Sequence, residues 1–252
     1  MHITLLSAQR SRMEITMPFR WLSGMGGLAI VLLNLVLVLP AGAQNPFAVA
    51  GDDYRVRGDR QAPLTLLEYS DFTCGFCEKF FQETWPILFS EYVQTGKMRL
   101  VYRDFPRAPS GPSLDTAQAA RCAGEQGQYW AMHDRLFSSR DKFSPAQLQQ
   151  QAEALALDVQ HYKACFEDAR HTKDIFADRS EANNLGFRGT PGFVLYLTEN
   201  PQEAVGIPGA FPYETFKEEI DKLLDMVASP QHSSDSVSES SILDHSSEHP
   251  HA

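Results

Sequence analysis

The stretch Leu64-Thr-Leu-Leu-Glu-Tyr-Ser-Asp-Phe-Thr-Cys-Gly-Phe-Cys77 leads from an apolar segment into two cysteines separated by two residues. Apolar residues recur at helical spacing after it, which predicts a strand, a short loop and a helix. Cys74 then lies at the helix N-terminus, where unpaired backbone N–H groups and the helix dipole stabilise its thiolate. Cys77 lies one turn further on the same face, within reach of any disulfide formed by Cys74. The pattern indicates thiol–disulfide exchange rather than a structural cross-link.

Residues 1–43 are typical of a secretory signal peptide. Three arginines precede the uncharged apolar segment 28–39, and the small residues 41–43 follow as a cleavage motif. The flank is long, and a start at Met13 or Met17 would give it an ordinary length. An uncleaved membrane anchor is the alternative. Both interpretations predict an exported domain, in the periplasm or otherwise outside the cytoplasm.

Export affects the interpretation of the remaining cysteines, because disulfides persist outside the cytosol. Cys122 and Cys165 each lie in a segment with helical periodicity, which predicts a structural disulfide between two helices. A zinc site built from all four cysteines is the competing hypothesis. It is disfavoured because the second pair is 43 positions apart, and we expect neither a metal ion nor a cofactor. The net charge of −10 argues against nucleic acid as a partner.

Further along the chain, a second strand at 98–104 completes a βαβ unit, and Pro86 is expected to kink the intervening helix. A hairpin with its turn at Asn200-Pro201 and a final helix follow much later. The pattern divides the chain into a signal peptide or anchor at 1–43, a lead-in at 44–58, a βαβ unit at 59–111, a helical insertion at 112–185, a ββα unit at 186–228 and a disordered Ser, His and acid tail at 229–252.

Helical periodicity dominates the insertion. Three polar residues are predicted to cap its helices, namely Ser113, Ser144 and Asp158. The predicted helices cover 113–124, 126–138, 144–155 and 159–184. His133 and Trp130 lie among apolar residues of the second helix, so we predict packing roles for both and no catalytic role.

Three motifs in this order resemble the DsbA family, over roughly residues 59–228. They are Phe72-Thr-Cys-Gly-Phe-Cys77, Arg121-Cys-Ala-Gly-Glu-Gln-Gly-Gln-Tyr-Trp130 with His133-Asp134, and Gly189-Thr-Pro-Gly-Phe193. The resemblance implies an α/β protein with a thioredoxin fold and an inserted all-helical domain.

The resemblance also assigns roles to site residues. It implies a cis peptide bond between Thr190 and Pro191, and a Thr190 backbone that binds an extended client beside Cys74. Glu68 lies six residues before Cys74, where the family places a buried acid that could accept the proton of Cys77. An exposed acid on an edge strand is the alternative for Glu68.

Gly75 and Phe76, which we expect to contact the client, depart from the Pro-His pair that many oxidases of the family have. Without an imidazole, the pKa of Cys74 is expected to be less depressed and the disulfide less oxidising. A Gly-aromatic pair also resembles isomerase and reductase relatives, which carry a long dimerisation region. The segment 44–63 is too short for such a region, which favours a monomer and an oxidase.

The primary hypothesis is an enzyme that introduces disulfides into unfolded exported polypeptides and is reoxidised by a DsbB-like, quinone-linked membrane partner. The alternative is an isomerase or reductase whose site is kept reduced by a DsbD-like membrane donor. The resting redox state of Cys74 and Cys77 distinguishes the two, because an oxidase rests oxidised and an isomerase rests reduced.

Overall fold

The computed structural model describes residues 47–139 and 143–228. The signal peptide or anchor predicted at 1–43 and the tail predicted at 229–252 lie outside the described residues, so both stay predictions. Within the two described ranges, no helix is both long enough and apolar enough to cross a bilayer.

In the part of the chain that the structure describes, five strands form a single sheet in the order β1-β3-β2-β4-β5. They are β1 Val56–Arg57, β2 Leu64–Ser70, β3 Met98–Asp104, β4 Gly192–Leu197 and β5 Asn200–Ile207. Strands β2 and β3 are parallel, and every other neighbouring pair is antiparallel. All seven residues of the central strand β2 are buried, which explains its nearly continuous apolar sequence. The predicted bounds of β2 and β3 are confirmed.

Strand β1 lies in the segment that the sequence analysis interpreted only as a lead-in. Val56 pairs with Val101 and Arg57 pairs with Leu100, which adds an antiparallel edge strand beside β3. A strand of two residues is too short to show the alternation of apolar and polar residues that identifies a strand in a sequence. The strand forms through its long-range partner, so local sequence could not predict it.

The helical run that begins directly after Cys74 and includes Cys77 extends over residues 75–93. It consists of α1 Gly75–Lys79, a π-helical segment Phe80–Thr84, α2 Trp85–Leu88 and a second π-helical segment Phe89–Val93. Pro86 lies in the first turn of α2, where its missing N–H interrupts the α-helical ladder. π-Helical segments lie on either side of the turn that contains Pro86, and the kink predicted at this residue stays a prediction.

The described residues of the insertion, 112–139 and 143–185, form five helices, which are α3 Pro112–Gly124, α4 Tyr129–Ser138, α5 Pro145–Ala154, α6 Val159–Glu167 and α7 Thr172–Asn184. The single helix predicted over 159–184 is wrong, because the chain turns between α6 and α7. Ala169 adopts a positive φ of 50° in this turn. No glycine or proline marks the turn in the sequence, so the helical periodicity continues through it.

Two of the three predicted caps are confirmed. Ser144 forms a capping box with Gln147, and the Asp158 side chain accepts a hydrogen bond from the backbone N–H of His161. The prediction for Ser113 is wrong. Gly111 precedes α3 as its N-cap, and the Ser113 hydroxyl instead donates to Asp71 at 2.5 Å.

The final unit is a hairpin of β4 and β5 followed by α8, Tyr213–Ala228. Its turn comes before the predicted Asn200-Pro201 position, because Leu197 already pairs with Asn200. Thr198 holds this turn near β2, since its N–H donates to Pro63 at 2.8 Å and its hydroxyl donates to Ala62 at 2.7 Å. The expected α/β class and thioredoxin fold with inserted helices are confirmed.

A buried network of ion pairs joins the lead-in, the sheet and the insertion. The Asp178 Oδ2 atom on α7 accepts from Arg55 Nη1 at 2.7 Å and from Arg121 Nη2 at 2.6 Å. Arg121 Nε also donates to Asp104 Oδ2 at 2.6 Å. Each buried charge is thereby compensated, which the low-dielectric interior requires. The network consists of Asp53, Arg55, Arg103, Asp104, Arg121 and Asp178.

Replacing Asp178 with asparagine is expected to lower the free energy of unfolding by about 3 kcal/mol, because Arg55 and Arg121 would lose a buried counter-charge. Urea unfolding followed by circular dichroism measures the change. Glu218→Gln is the control, since this carboxylate pairs with Lys222 on the exposed surface and its loss should cost less than about 0.5 kcal/mol. Equal midpoints for the two variants would contradict a stabilising network.

Candidate active site

Cys74 is the N-cap residue of the helical run 75–93. Its backbone is extended, with φ −91° and ψ 120°, and its carbonyl accepts the Glu78 N–H at 3.0 Å. Phe76 and Cys77 occupy the first turn, and their backbone N–H groups contribute, after the Cys77 thiol, to lowering the pKa of Cys74. The helix start therefore surrounds this sulfur with donors, as the sequence predicted.

The loop before Cys74 is ordered by Asp71, a residue that the sequence analysis missed. Its carbonyl accepts the Cys74 N–H at 2.9 Å, and its buried carboxylate accepts the Thr73 N–H at 2.8 Å and the Thr73 hydroxyl at 2.7 Å. Ser113 and the Arg107 backbone N–H donate to the same carboxylate. An aspartate two residues before a threonine is typical of an Asx-turn, so this pattern could have identified Asp71 in the sequence.

The two thiols of the motif differ in environment. The pKa of Cys74 lies below that of an ordinary thiol, because the Cys77 thiol and nearby backbone N–H groups hydrogen-bond its sulfur and together outweigh partial burial. The pKa of Cys77 is raised, because its side chain is fully buried and donates to Cys74. Both cysteines are free thiols in this structure. The asymmetry makes Cys74 the better nucleophile and the better leaving group.

The Thr190-Pro191 loop lies directly beside Cys74. The Thr190 carbonyl oxygen is 3.4 Å from Cys74 Sγ, although the two residues are 116 positions apart. The peptide bond between Thr190 and Pro191 is cis, which confirms the expectation from the family resemblance. Strand β4 begins immediately afterwards at Gly192 and holds the loop against the end of β2.

An apolar cleft of about 250 Å³ opens on the same side as the loop. Phe76 lies at its margin with 68% of its surface exposed, and Phe211 is also exposed. Gly75 does not line the cleft, and the space where a side chain would be at this position is open. The cleft is lined by Phe76, Thr190, Pro208, Gly209, Ala210 and Phe211.

Glu68 is buried in the central strand β2, with 3% of its surface exposed. The alternative of an exposed acid on an edge strand is therefore wrong. Burial raises the pKa of Glu68 to about 8. Tyr102 is its partner on β3, and the pKa of this phenol is itself raised by burial, with smaller contributions from Glu68 and Cys77. The acid thus lies in the interior, and both Glu68 and Cys77 contribute to the raised pKa of the Tyr102 phenol.

His133 and Trp130 have the packing environments predicted for them. His133 is 2% exposed, its Nδ1 lies 2.9 Å from Asp134 Oδ1, and its ring lies close to the rings of six aromatic residues. Burial lowers its pKa. The Trp130 indole N–H donates to the Val56 carbonyl at 3.1 Å. Both side chains therefore connect the insertion to the rest of the fold.

The second cysteine pair forms the predicted structural disulfide. Cys122 on α3 and Cys165 on α6 are joined, with 5.8 Å between their α-carbons. The hypothesis of a zinc site made from all four cysteines is wrong, because these two sulfurs are bonded to each other while Cys74 and Cys77 are free.

Comparison with known proteins places this site in a family. A family model described as thioredoxin matches residues 51–200, which is more than half of the chain. The chain belongs to the thioredoxin family. The matched region begins before residue 59, in agreement with the observation that part of the lead-in pairs with the sheet.

Among curated relatives, Na(+)/H(+) antiporter NhaA 3 of Salinispora tropica is 36% identical over 145 residues, covering 57% of this chain and 22% of that protein. A protein of Rickettsia bellii named "Putative protein-disulfide oxidoreductase" is 27% identical over 156 residues, or 58% of each chain. This thioredoxin-family chain therefore matches about a fifth of the antiporter and less than two thirds of the Rickettsia protein.

Among solved structures, alpha-DsbA1 of Wolbachia pipientis superposes with a TM-score of 0.62 and 27% identity, covering 69% of this chain and 92% of that one. The resemblance to DsbA proteins that the three motifs indicated is confirmed by this similarity in fold and sequence.

The raised pKa of Glu68 predicts how pH affects stability. Below its ordinary pKa of 4.5 the acid is neutral both folded and unfolded, whereas between pH 5 and about 8 only the unfolded chain ionises. The free energy of unfolding of the protein with Glu68 should therefore fall, relative to that of the Glu68→Gln variant, by the order of 1 kcal/mol for each pH unit in this range.

Urea unfolding at pH 5, 6.5 and 8 tests this expectation. Both proteins carry Cys74→Ser and Cys77→Ser, so that the redox state of the active pair does not vary. A stability difference that stays constant with pH would mean that Glu68 titrates as a solvated carboxyl.

Proposed function

We propose that the chain is a thiol–disulfide oxidoreductase that donates a Cys74–Cys77 disulfide to exported polypeptides. The observation that carries the proposal is the position of the Cys74 sulfur, between the first N–H groups of a helix and the Thr190 carbonyl. The name of the Rickettsia bellii relative and the similarity to Wolbachia alpha-DsbA1 support the same activity.

The reaction consists of two sulfur exchanges. A client thiolate attacks Cys74 of the oxidised pair, a mixed disulfide forms, and Cys77 leaves as a thiolate. A second client thiolate then attacks the client sulfur of the mixed disulfide and releases Cys74 as a thiolate. The client dithiol is thereby oxidised by two electrons and the Cys74–Cys77 pair is reduced. The lowered pKa of Cys74 makes it a good leaving group in the second exchange.

Glu68 is proposed to exchange a proton with Cys77. When Cys77 leaves as a thiolate in the buried interior it requires a proton, because an unpaired charge is unfavourable there. The pKa of about 8 keeps Glu68 protonated at neutral pH, so the acid has a proton to transfer. The same carboxylate would accept the proton of Cys77 when the pair is reoxidised.

The cleft beside Thr190 is proposed to bind the client. An extended polypeptide can hydrogen-bond to the backbone at Thr190 in the manner of an added strand, which would place its cysteine beside Cys74. Exposed Phe76 and Phe211 offer apolar contacts that do not depend on client sequence. Gly75 leaves space for the client backbone, since no atom lies near the position of a β-carbon there.

Donation of the disulfide is favoured over isomerisation because the site stabilises the reduced form. Every hydrogen bond that stabilises the Cys74 thiolate makes the disulfide more oxidising. We further propose that the chain acts as an exported monomer, reoxidised by a quinone-linked membrane partner of the DsbB kind. The Gly75-Phe76 pair supports the alternative of an isomerase or reductase, which a DsbD-like membrane donor would keep reduced.

Substitution of each active cysteine separates the two exchanges. Cys74→Ser should slow oxidation of a dithiol peptide at least about 100-fold, because the attacked sulfur is absent. Cys77→Ser, mixed with a peptide that carries an activated disulfide, should accumulate the mixed disulfide at Cys74, because the resolving thiol is absent. Non-reducing electrophoresis and mass spectrometry detect the adduct.

The control for these experiments is the double variant Cys122→Ala, Cys165→Ala, with its fold verified by circular dichroism. It should keep the exchange activity, since the second pair is separate from the first. Wild-type rates in Cys74→Ser, or a mixed disulfide formed at Cys77 instead, would contradict the proposed function.

A further inference from the structure

Two more potential metal ligands surround the Cys122–Cys165 disulfide, at the junction of α3, α6 and α7. The two sulfurs and a His171 nitrogen all lie within 4.8 Å of one another. Glu125, one residue after α3, brings its Oε1 atom to 3.5 Å from Cys165 Sγ and to 2.9 Å from His171 Nε2. Two sulfurs, an imidazole and a carboxylate thus converge on one point, which no mechanism of the active pair requires.

We propose that reduction of the Cys122–Cys165 disulfide turns this junction into a tetrahedral Zn²⁺ site, with Cys122, Cys165, His171 and Glu125 as ligands. The site is separate from the proposed oxidoreductase activity, because it uses neither Cys74 nor Cys77. Disulfide and metal exclude each other, since the two sulfurs are either bonded together or free to bind the ion.

The spacing of the four side chains fits such a site. With Zn–S bonds of about 2.3 Å and Zn–O bonds of about 2.0 Å, a tetrahedral site separates sulfur from oxygen by about 3.5 Å. This matches the observed 3.5 Å from Cys165 Sγ to Glu125 Oε1. The corresponding separation of nitrogen and oxygen is about 3.3 Å, close to the 2.9 Å observed for His171. The two sulfurs must also separate, to about 3.8 Å, once their bond is reduced.

The surroundings also hold the carboxylate in an orientation suited to binding. Glu125 Oε2 accepts from Arg170 Nη1 at 2.9 Å and lies 2.7 Å from His161 Nε2, which leaves Oε1 facing the sulfurs. Partners of this kind orient metal ligands in known sites. Two thiolates, one carboxylate and Zn²⁺ carry one net negative charge, which the Arg170 guanidinium balances.

The conversion is a balanced redox reaction. A dithiol reductant supplies two electrons, its own sulfurs become a disulfide, and the Cys122–Cys165 bond breaks to give two thiols. Binding of Zn²⁺ then displaces the two thiol protons to solvent. The disulfide connects only α3 and α6, whereas the ion would connect α3, α6 and the start of α7. The insertion would therefore stay cross-linked under reducing conditions.

Cobalt substitution tests the proposal, because Co²⁺ reports its ligands by absorption. The full chain with Cys74→Ser and Cys77→Ser has Cys122 and Cys165 as its only cysteines. A tertiary phosphine and water reduce the disulfide, giving the phosphine oxide, and the reagent is removed without oxygen. One equivalent of Co²⁺ should then produce sulfur-to-cobalt charge-transfer absorption with the visible bands of a tetrahedral site, and Zn²⁺ should displace it.

Three comparisons identify the ligands. The oxidised protein should show no sulfur-to-cobalt absorption, because its two sulfurs are bonded to each other. Histidines of the tail could bind Co²⁺ in this form, but they cannot produce that absorption. His171→Ala and Glu125→Gln should each weaken binding by the reduced protein at least about 10-fold, as expected for loss of a contact to the metal. His249→Ala, a tail variant matched to His171→Ala, should bind as tightly as the parent.

Thermal unfolding of the reduced protein with and without Zn²⁺ is the second measurement. The ion should raise the melting temperature, or restore the helical circular dichroism if reduction alone unfolds the insertion. Unchanged affinity in both His171→Ala and Glu125→Gln would overturn the proposal, because two thiolates alone would then account for binding. Absence of charge-transfer absorption, or failure of Zn²⁺ to stabilise the reduced protein, would also overturn it.

Discussion

The placement of one sulfur at the start of a helix is the constraint on which the rest of the structure depends. The Cys77 thiol and the first N–H groups of the run 75–93 lower the pKa of Cys74, and Cys74 Sγ lies 3.4 Å from the Thr190 carbonyl oxygen. Strand β2 leads into the loop that contains Cys74. Its antiparallel neighbour β4 begins just after the cis peptide bond. The sheet thereby brings together two chain segments that are 116 residues apart.

Buried polar groups hold this arrangement in place from several directions. The Asp71 carboxylate connects the loop before Cys74 to the start of α3 through Ser113, and Asp178 connects α7 to Arg121 and to the lead-in. Each carboxylate is satisfied by several donors, so its burial costs less than that of an isolated charge. The helical insertion is therefore anchored to the sheet by specific polar contacts as well as by its apolar core.

Local sequence predicted those features whose cause is local. The strands 64–70 and 98–104 follow from apolar composition, and the caps at Ser144 and Asp158 follow from hydrogen bonds within one turn. The helix start at Cys74 was predicted for the same kind of reason. The second disulfide was predicted from the expected export of the chain, and the cis bond at Pro191 from family resemblance.

Features that depend on distant partners could not be predicted in this way. Strand β1 exists because β3 pairs with it, and Ser113 leaves its expected capping role because Asp71 attracts its hydroxyl. The sequence allows both a buried and an exposed Glu68, and the position of β2 at the centre of the sheet decides between them. The turn at Ala169 has no glycine or proline to mark it, so periodicity alone joined two helices into one.

The reduction potential of the Cys74–Cys77 pair tests the central claim most directly. Wild-type protein is equilibrated with glutathione buffers of graded redox ratio, and the alkylated fraction of Cys74 is measured by mass spectrometry. A stabilised Cys74 thiolate predicts a potential more positive than the roughly −270 mV typical of thioredoxin. A potential at or below about −270 mV would contradict the account, because the helix start would then give the reduced pair no advantage over an ordinary reductase.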